Sequence, residues 1–116
     1  MTSDSQHQHQ TQRPLLSTFA DDPDMQELID LFVSDLADRI DTIAQSARIA
    51  DYEKLRTVAH QLKGAAAGYG YEPIGDAARE LELTLKLGTP PFDEQTIQQQ
   101  TDELLNICRR ALPPAV

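Results

Sequence analysis

Residues 22–47 read DPDMQELIDLFVSDLADRIDTIAQSA, and their apolar side chains recur every three or four positions. This spacing places them on one stripe of an α-helix. Asp22 is a good capping residue and Pro23 suits the first helical turn, so the helix is predicted to begin there and to run to about Ala47. The predicted buried stripe consists of Met25, Leu28, Ile29, Phe32, Leu36, Ile40, Ile43 and Ala47.

A second helix is predicted after a short break near residues 49–51, with Asp51 as its cap. It is expected to end among Gly68, Gly70 and Tyr71, because glycine favours the carboxyl end of a helix. Its apolar stripe consists of Leu55, Val58, Leu62, Ala66 and Tyr69.

Two more amphipathic segments follow. The third predicted helix begins at Pro73 and is stopped by Gly88 and the prolines after it, and the fourth runs from near Asp93 to Pro113–Pro114. Their apolar positions are Ile74, Ala77, Ala78, Leu81 and Leu85 in the third, and Ile97, Leu104, Ile107, Cys108 and Ala111 in the fourth. Four long helices with short links predict an all-α, antiparallel four-helix bundle. A short extra helix around residues 15–19 is expected to cover one end.

The amino-terminal residues 1–13 are rich in Gln, Ser, Thr and His and almost lack large apolar side chains. Such a segment cannot repay the entropy of ordering, so a flexible polar tail is predicted. His7 and His9 alternate with glutamine and have no acidic or cysteine companion, which argues against a metal site there. Residues 14–116 are expected to form one domain, because a hydrophobic content of 40% is adequate for a modest core.

Residues 60–70 read HQLKGAAAGYG and contain the candidate site. Helical geometry places His60, Lys63, Gly64 and Ala67 roughly opposite the apolar stripe, so the imidazole is expected to face solvent. A glycine inside a helix costs about 1 kcal/mol relative to alanine, so Gly64 indicates that space beside the histidine is needed. Lys63 brings a positive charge that suits a phosphoryl group on the ring. The set is interpreted as a phosphohistidine site.

The order His60-x-Leu62-Lys63-Gly64, followed by Gly70, is similar to the H-x-L-K-G-x5-G signature of histidine-containing phosphotransfer domains. The resemblance implies that His60 accepts a phosphoryl group from a receiver aspartate or a histidine kinase and passes it to another receiver aspartate. It also implies that Lys63 is the cation near the phosphoryl group. The partner is the receiver domain of a response regulator or of a hybrid histidine kinase. The expected docking surface for that receiver consists of Gly64, Ala67, Gly68 and Tyr71.

Glu82 is the third candidate site residue. Folding the second and third helices back about Tyr71 brings His60 and Glu82 side by side, since they are equally distant from it. Its carboxylate could accept a hydrogen bond from one imidazole nitrogen and leave the other free to attack. The resemblance implies this orienting role, which family members give to a Gln or Glu at the same offset. The alternative is that Glu82 is an ordinary surface acid.

The remaining features exclude several classes of function. A net charge of -9 argues against binding nucleic acid or anionic lipid. The single Cys108 cannot form an internal disulfide.

The chain shows no secretory leader and no long apolar run, so a cytoplasmic location is expected. It also lacks phosphate-binding glycine loops, which predicts a phosphoryl carrier, not an enzyme with its own ATP site. No cofactor is expected, and the default state is a monomer.

Two other functions remain open at this stage. A non-catalytic helical-bundle adaptor that binds signalling partners would share this fold, but it would have no use for an exposed imidazole beside Lys63 and Gly64. A metal-dependent bundle enzyme normally needs inward-facing Glu and Glu-x-x-His ligands on several helices. The nearest set, Glu53, His60 and Glu82, lacks that spacing and number, so no metal site is predicted.

Overall fold

The computed structural model describes residues 13–113, and within this range the chain forms four α-helices and no strands. The helices are α1 (Gln26–Arg48), α2 (Tyr52–Gly68), α3 (Glu72–Leu87) and α4 (Glu94–Ala111). Links as short as residues 49–51 and 69–71 make consecutive helices antiparallel neighbours. Because α4 also packs against α1, the four helices close around one core. The predicted all-α bundle is confirmed.

The capping residues explain two of the helix starts. The Asp51 side chain accepts a hydrogen bond from the Lys54 backbone N–H at 3.2 Å, and Asp93 accepts one from the Gln95 N–H at 3.1 Å. Both side chains satisfy amide groups that have no partner inside the helix. The predicted beginnings of α2 and α4 are therefore confirmed.

Helix α1 begins at Gln26, later than the predicted start at Asp22. The Asp22 side chain accepts a hydrogen bond from the Asp24 N–H, and the Asp22 carbonyl accepts one from the Met25 N–H. This pairing closes a local turn around the aspartate before the regular helix starts. Asp22 thus caps a turn, and Pro23 lies within that turn.

The core contains apolar side chains from all four helices. The largest fully buried ones are Leu36, Ile43, Leu55, Leu62, Ile74, Leu81, Ile97, Leu104 and Cys108. The predicted stripe of α1 is wrong at Leu28, which is 42% exposed, while its neighbour Ile29 is buried. Leu28 shares its face with the exposed Leu31 one turn later, because residues three apart lie on the same side of a helix.

Residues 13–22, here called the strap, precede α1 and cover one end of the bundle. The short helix predicted for residues 15–19 is wrong, because this part of the strap is irregular and then turns. Its amides bind distant carbonyls: the Leu15 N–H donates to Arg110 O at 2.8 Å and the Thr18 N–H to Gly70 O at 2.9 Å. These hydrogen bonds replace the local ones that a helix would have used.

The strap requires a glycine at position 70. Gly70 has φ +84°, in the left-handed region that favours glycine, and a Cβ there would lie 2.5 Å from Ser17 Oγ. The same Ser17 hydroxyl donates a hydrogen bond to Tyr69 O at 2.6 Å. The glycine expected to end α2 therefore also makes room for the strap.

The predicted polar tail, residues 1–13, lies outside the described residues except for Arg13. Between residues 13 and 113, no helix has the combination of length and hydropathy that a membrane span requires.

Candidate functional site

His60 lies on the outer face of α2. Its side chain is 65% exposed, because the core-facing positions of this helix are taken by residues such as Leu55 and Leu62. The imidazole therefore lies at the surface, as the helical spacing predicts, with its ring accessible to another molecule.

Glu82 holds one side of this ring. His60 Nδ1 lies 2.6 Å from Glu82 Oε2, and Glu82 is only 5% exposed although it carries a carboxylate. The pKa of Glu82 is held below its usual value, mainly by a hydrogen bond from Lys63 and also by the one from His60. An ionised carboxylate only accepts hydrogen bonds, so Nδ1 is the donor in this pair, and in the neutral form of the ring the Nε2 lone pair is left free.

Lys63 binds the other carboxylate oxygen of Glu82. Its Nζ donates a hydrogen bond to Glu82 Oε1 at 2.7 Å, so the two oxygens of Glu82 bind two different side chains of α2. The sequence analysis places Lys63 beside a phosphoryl group on His60. In the structure the ammonium group is paired with the same carboxylate that binds the imidazole.

A strip of small residues continues from His60 along α2. Gly64, Ala67 and Gly68 are all exposed and follow His60 at helical spacing. A Cβ built at either glycine would meet nothing within 4 Å, so neither is required by packing inside the chain. This strip leaves the backbone of α2 open to a partner beside the imidazole.

Tyr71 does not belong to that surface. It is 4% exposed, and its ring stacks on Phe32 with a centroid separation of 5.1 Å. Burial is the main reason that its pKa is raised. The expectation that Tyr71 lines a docking surface is therefore wrong, because its ring is buried and packs the α2–α3 link against α1. The other predicted docking residues, Gly64, Ala67 and Gly68, are exposed.

Two basic residues near His60 were missed by the sequence analysis. A groove of about 450 Å³ beside the imidazole is lined by Arg56 and Lys86 as well as by His60, Glu82 and Glu53. Arg56 is four residues before His60 on α2, and Lys86 is four residues after Glu82 on α3. Residues four apart on a helix are neighbours, so this spacing could have indicated that Arg56 lies beside His60 and Lys86 beside Glu82.

The described part of the chain contains no group of three His, Cys, Asp or Glu side chains that could hold a metal ion. The charged centre of the site is the ion pair of Glu82 with Lys63, and His60 is hydrogen-bonded to the same carboxylate. Chemically, this set presents one free imidazole nitrogen on a ring whose other nitrogen is fixed.

The comparison with protein families agrees with this geometry. The model of a family described as the Hpt domain matches residues 27–112, a range that contains His60, Lys63 and Glu82 and nearly all of the four helices. No curated protein and no solved structure gives a significant match. Domains of this family are phosphoryl carriers without an ATP site of their own, and they interact with receiver domains in phosphorelays. Since the match covers most of its length, the chain belongs to the Hpt domain family.

Proposed function

We propose that this protein carries a phosphoryl group on His60 in a two-component phosphorelay. The group arrives from the aspartate of a receiver domain, or from a histidine kinase, and leaves to another receiver aspartate. The observation that supports this most strongly is the exposed imidazole whose Nδ1 is bound by Glu82 at 2.6 Å. A fixed ring with one free nitrogen is what a surface nucleophile requires.

The transfer follows from the protonation of this ring. The Nε2 lone pair attacks the phosphorus of the aspartyl phosphate, the N–P bond forms and the P–O bond to the aspartate breaks. The free carboxylate stays on the receiver. The proton on Nδ1 remains in its hydrogen bond to Glu82, whose negative charge balances the positive charge that develops on the ring. Glu82 thus orients the imidazole and stabilises its charged form.

Lys63 and the small residues have supporting roles in this proposal. Lys63 is the cation for the phosphoryl group, and its pairing with Glu82 keeps the ammonium close to the ring before the partner arrives. Gly64, Ala67 and Gly68 form the docking surface for the receiver, since side chains are small or absent along this strip. Tyr71 is not included in this docking surface, because it is buried.

The decisive experiment is transfer of labelled phosphate from a receiver domain phosphorylated on its aspartate. We expect label on the wild-type chain and none on His60→Gln, which keeps the histidines at positions 7 and 9. Gln45→Ala, at an exposed position of α1 that does not line the groove, is the control and should be labelled like the wild type.

Two outcomes would contradict the proposal. Equal labelling of the wild type and His60→Gln would place the phosphoryl group elsewhere. Binding of receivers without any transfer, across a panel of receivers from the same genome, would favour the helical-bundle adaptor instead.

A further inference from the structure

Arg56 and Lys86 lie on the same side of the His60–Glu82 pair. Arg56 is one turn towards the amino end of α2, and Lys86 is one turn towards the carboxyl end of α3. Because these helices are antiparallel, both residues lie in the same direction, and both line the groove beside the imidazole. Lys63 follows His60 in the opposite direction along α2. His60 therefore has basic side chains on both sides.

These two cations are available for binding. Within residues 13–113, the contacts shorter than 4.0 Å between a basic side chain and a carboxylate are both made by Glu82, one with His60 and one with Lys63. Arg56 and Lys86 thus have no carboxylate partner there, and both are exposed. Glu53 is the other acidic residue that lines the groove. In a chain with net charge -9, two unpaired cations beside the nucleophile point to recognition of an anion.

Lys63 is less available than Arg56 and Lys86 for binding a phosphoryl group. Moving its ammonium to a phosphoryl group would take a hydrogen bond away from the buried Glu82 carboxylate, and that loss has a cost. Arg56 and Lys86 would give up only water. Guanidinium and ammonium groups bind phosphate oxygens through charge-assisted hydrogen bonds.

We infer that Arg56 and Lys86 form a second cationic site, which binds the oxygens of the phosphoryl group on His60. This inference rests on the proposed function and deepens it. The groove stabilises the phosphorylated form of the carrier, so it shifts the balance between phospho-receiver and phospho-carrier towards the carrier. Arg56 and Lys86 are binding residues here, and they take no part in breaking or forming a covalent bond.

The test is the equilibrium constant for phosphoryl transfer from one phosphorylated receiver to the full chain. This constant depends on the free species alone, so differences in docking affinity cancel from it. In the double variant Arg56→Gln/Lys86→Gln we expect it to fall about threefold to tenfold, as for two exposed charge pairs. Lys54→Gln/Arg109→Gln removes the same charge at exposed positions outside the groove and should leave it unchanged.

Two further variants sharpen the result. Arg56→Lys/Lys86→Arg keeps both charges and should retain most of the wild-type constant. Glu53→Gln removes an anion from the groove and should raise the constant. An unchanged constant in Arg56→Gln/Lys86→Gln, with circular dichroism showing a folded bundle, would overturn the inference even if transfer became slower. Failure of the proposed function is distinct, because then the wild type itself gains no label.

Discussion

At the scale of single residues, Glu82 organises the site. A carboxylate that is only 5% exposed must be compensated, and here each oxygen has a basic partner. The hydrogen bond from Lys63 is the largest cause of the lowered pKa of Glu82. Lys63 is therefore coupled to the imidazole through Glu82, since its hydrogen bond favours the ionised form of the carboxylate that also binds His60.

Replacing Lys63 with methionine tests this coupling. We expect the free energy of unfolding to fall by about 1–2 kcal/mol, because a buried acceptor loses a charged donor that is itself partly exposed. In the background of Glu82→Gln the same replacement should cost less, because no charge remains to be compensated. Urea denaturation of the wild type, the two single variants and the double variant measures the difference. Equal costs in both backgrounds would show that the two side chains are not coupled.

The sequence predicts part of this site. The register of two antiparallel helices is enough to bring His60 and Glu82 together, and the helical spacing exposes the imidazole. The partner of Lys63 was not predicted, because a long side chain can reach several anions and spacing does not choose among them. Tyr71 was assigned wrongly because it lies in a link, where no helical periodicity defines an inner face.

At the scale of helices, the site depends on the close packing of α3 against α2. Gly75 is buried at this contact, and a Cβ there would lie 3.5 Å from Lys63 O and 3.7 Å from Ala67 N. Gly75 thus lies against the backbone of α2 within the segment that follows His60. This approach brings Glu82 within hydrogen-bond distance of the imidazole.

The substitution Gly75→Leu should separate these two helices. We expect a loss of about 2–3 kcal/mol in the free energy of unfolding, together with a weaker His60–Glu82 hydrogen bond. Gly75→Ala is the matched control: its contacts of 3.5 Å and longer are ordinary, so stability should change by no more than about 1 kcal/mol. Thermal unfolding and the nitrogen chemical shifts of the His60 ring measure the two effects. A leucine variant as stable as the alanine variant would contradict the tight contact.

Element boundaries show where local sequence is sufficient. The caps Asp51 and Asp93 bind amides within three residues, so their roles follow from the sequence around them. The strap is different, because its amides bind Gly70 O and Arg110 O. These carbonyl groups belong to distant parts of the chain. The sequence of residues 15–19 alone therefore does not indicate which groups its amides will bind.

At the scale of the whole molecule, the buried carboxylate makes stability depend on pH. Glu82 has a lower pKa in the folded protein than the usual glutamate value of 4.5. The unfolded state therefore takes up this proton first as the pH falls. The stabilisation is complete above the usual value and is lost as the pH falls through the lower, folded value.

We therefore expect the stability difference between the wild type and Glu82→Gln to shrink on acidification. Urea denaturation at intervals between about pH 5.5 and pH 3 measures it. Other carboxylates titrate equally in both proteins, so they cancel from the difference. A difference that stays constant or grows as the pH falls would contradict the lowered pKa of Glu82.

The strap has a consequence for the order in which the molecule assembles. The hydrogen bond from Ser17 to Tyr69 spans 52 positions, and the one from Arg110 to Arg13 spans 97. The strap forms no regular helix and is held by few hydrogen bonds, and segments of this kind open locally at low free energy. We therefore expect the strap to detach before the bundle unfolds and to dock last when it folds. Within residues 13–113 none of its hydrogen bonds involves His60, Lys63 or Glu82, so we expect the His60–Glu82 pair to persist when the strap detaches.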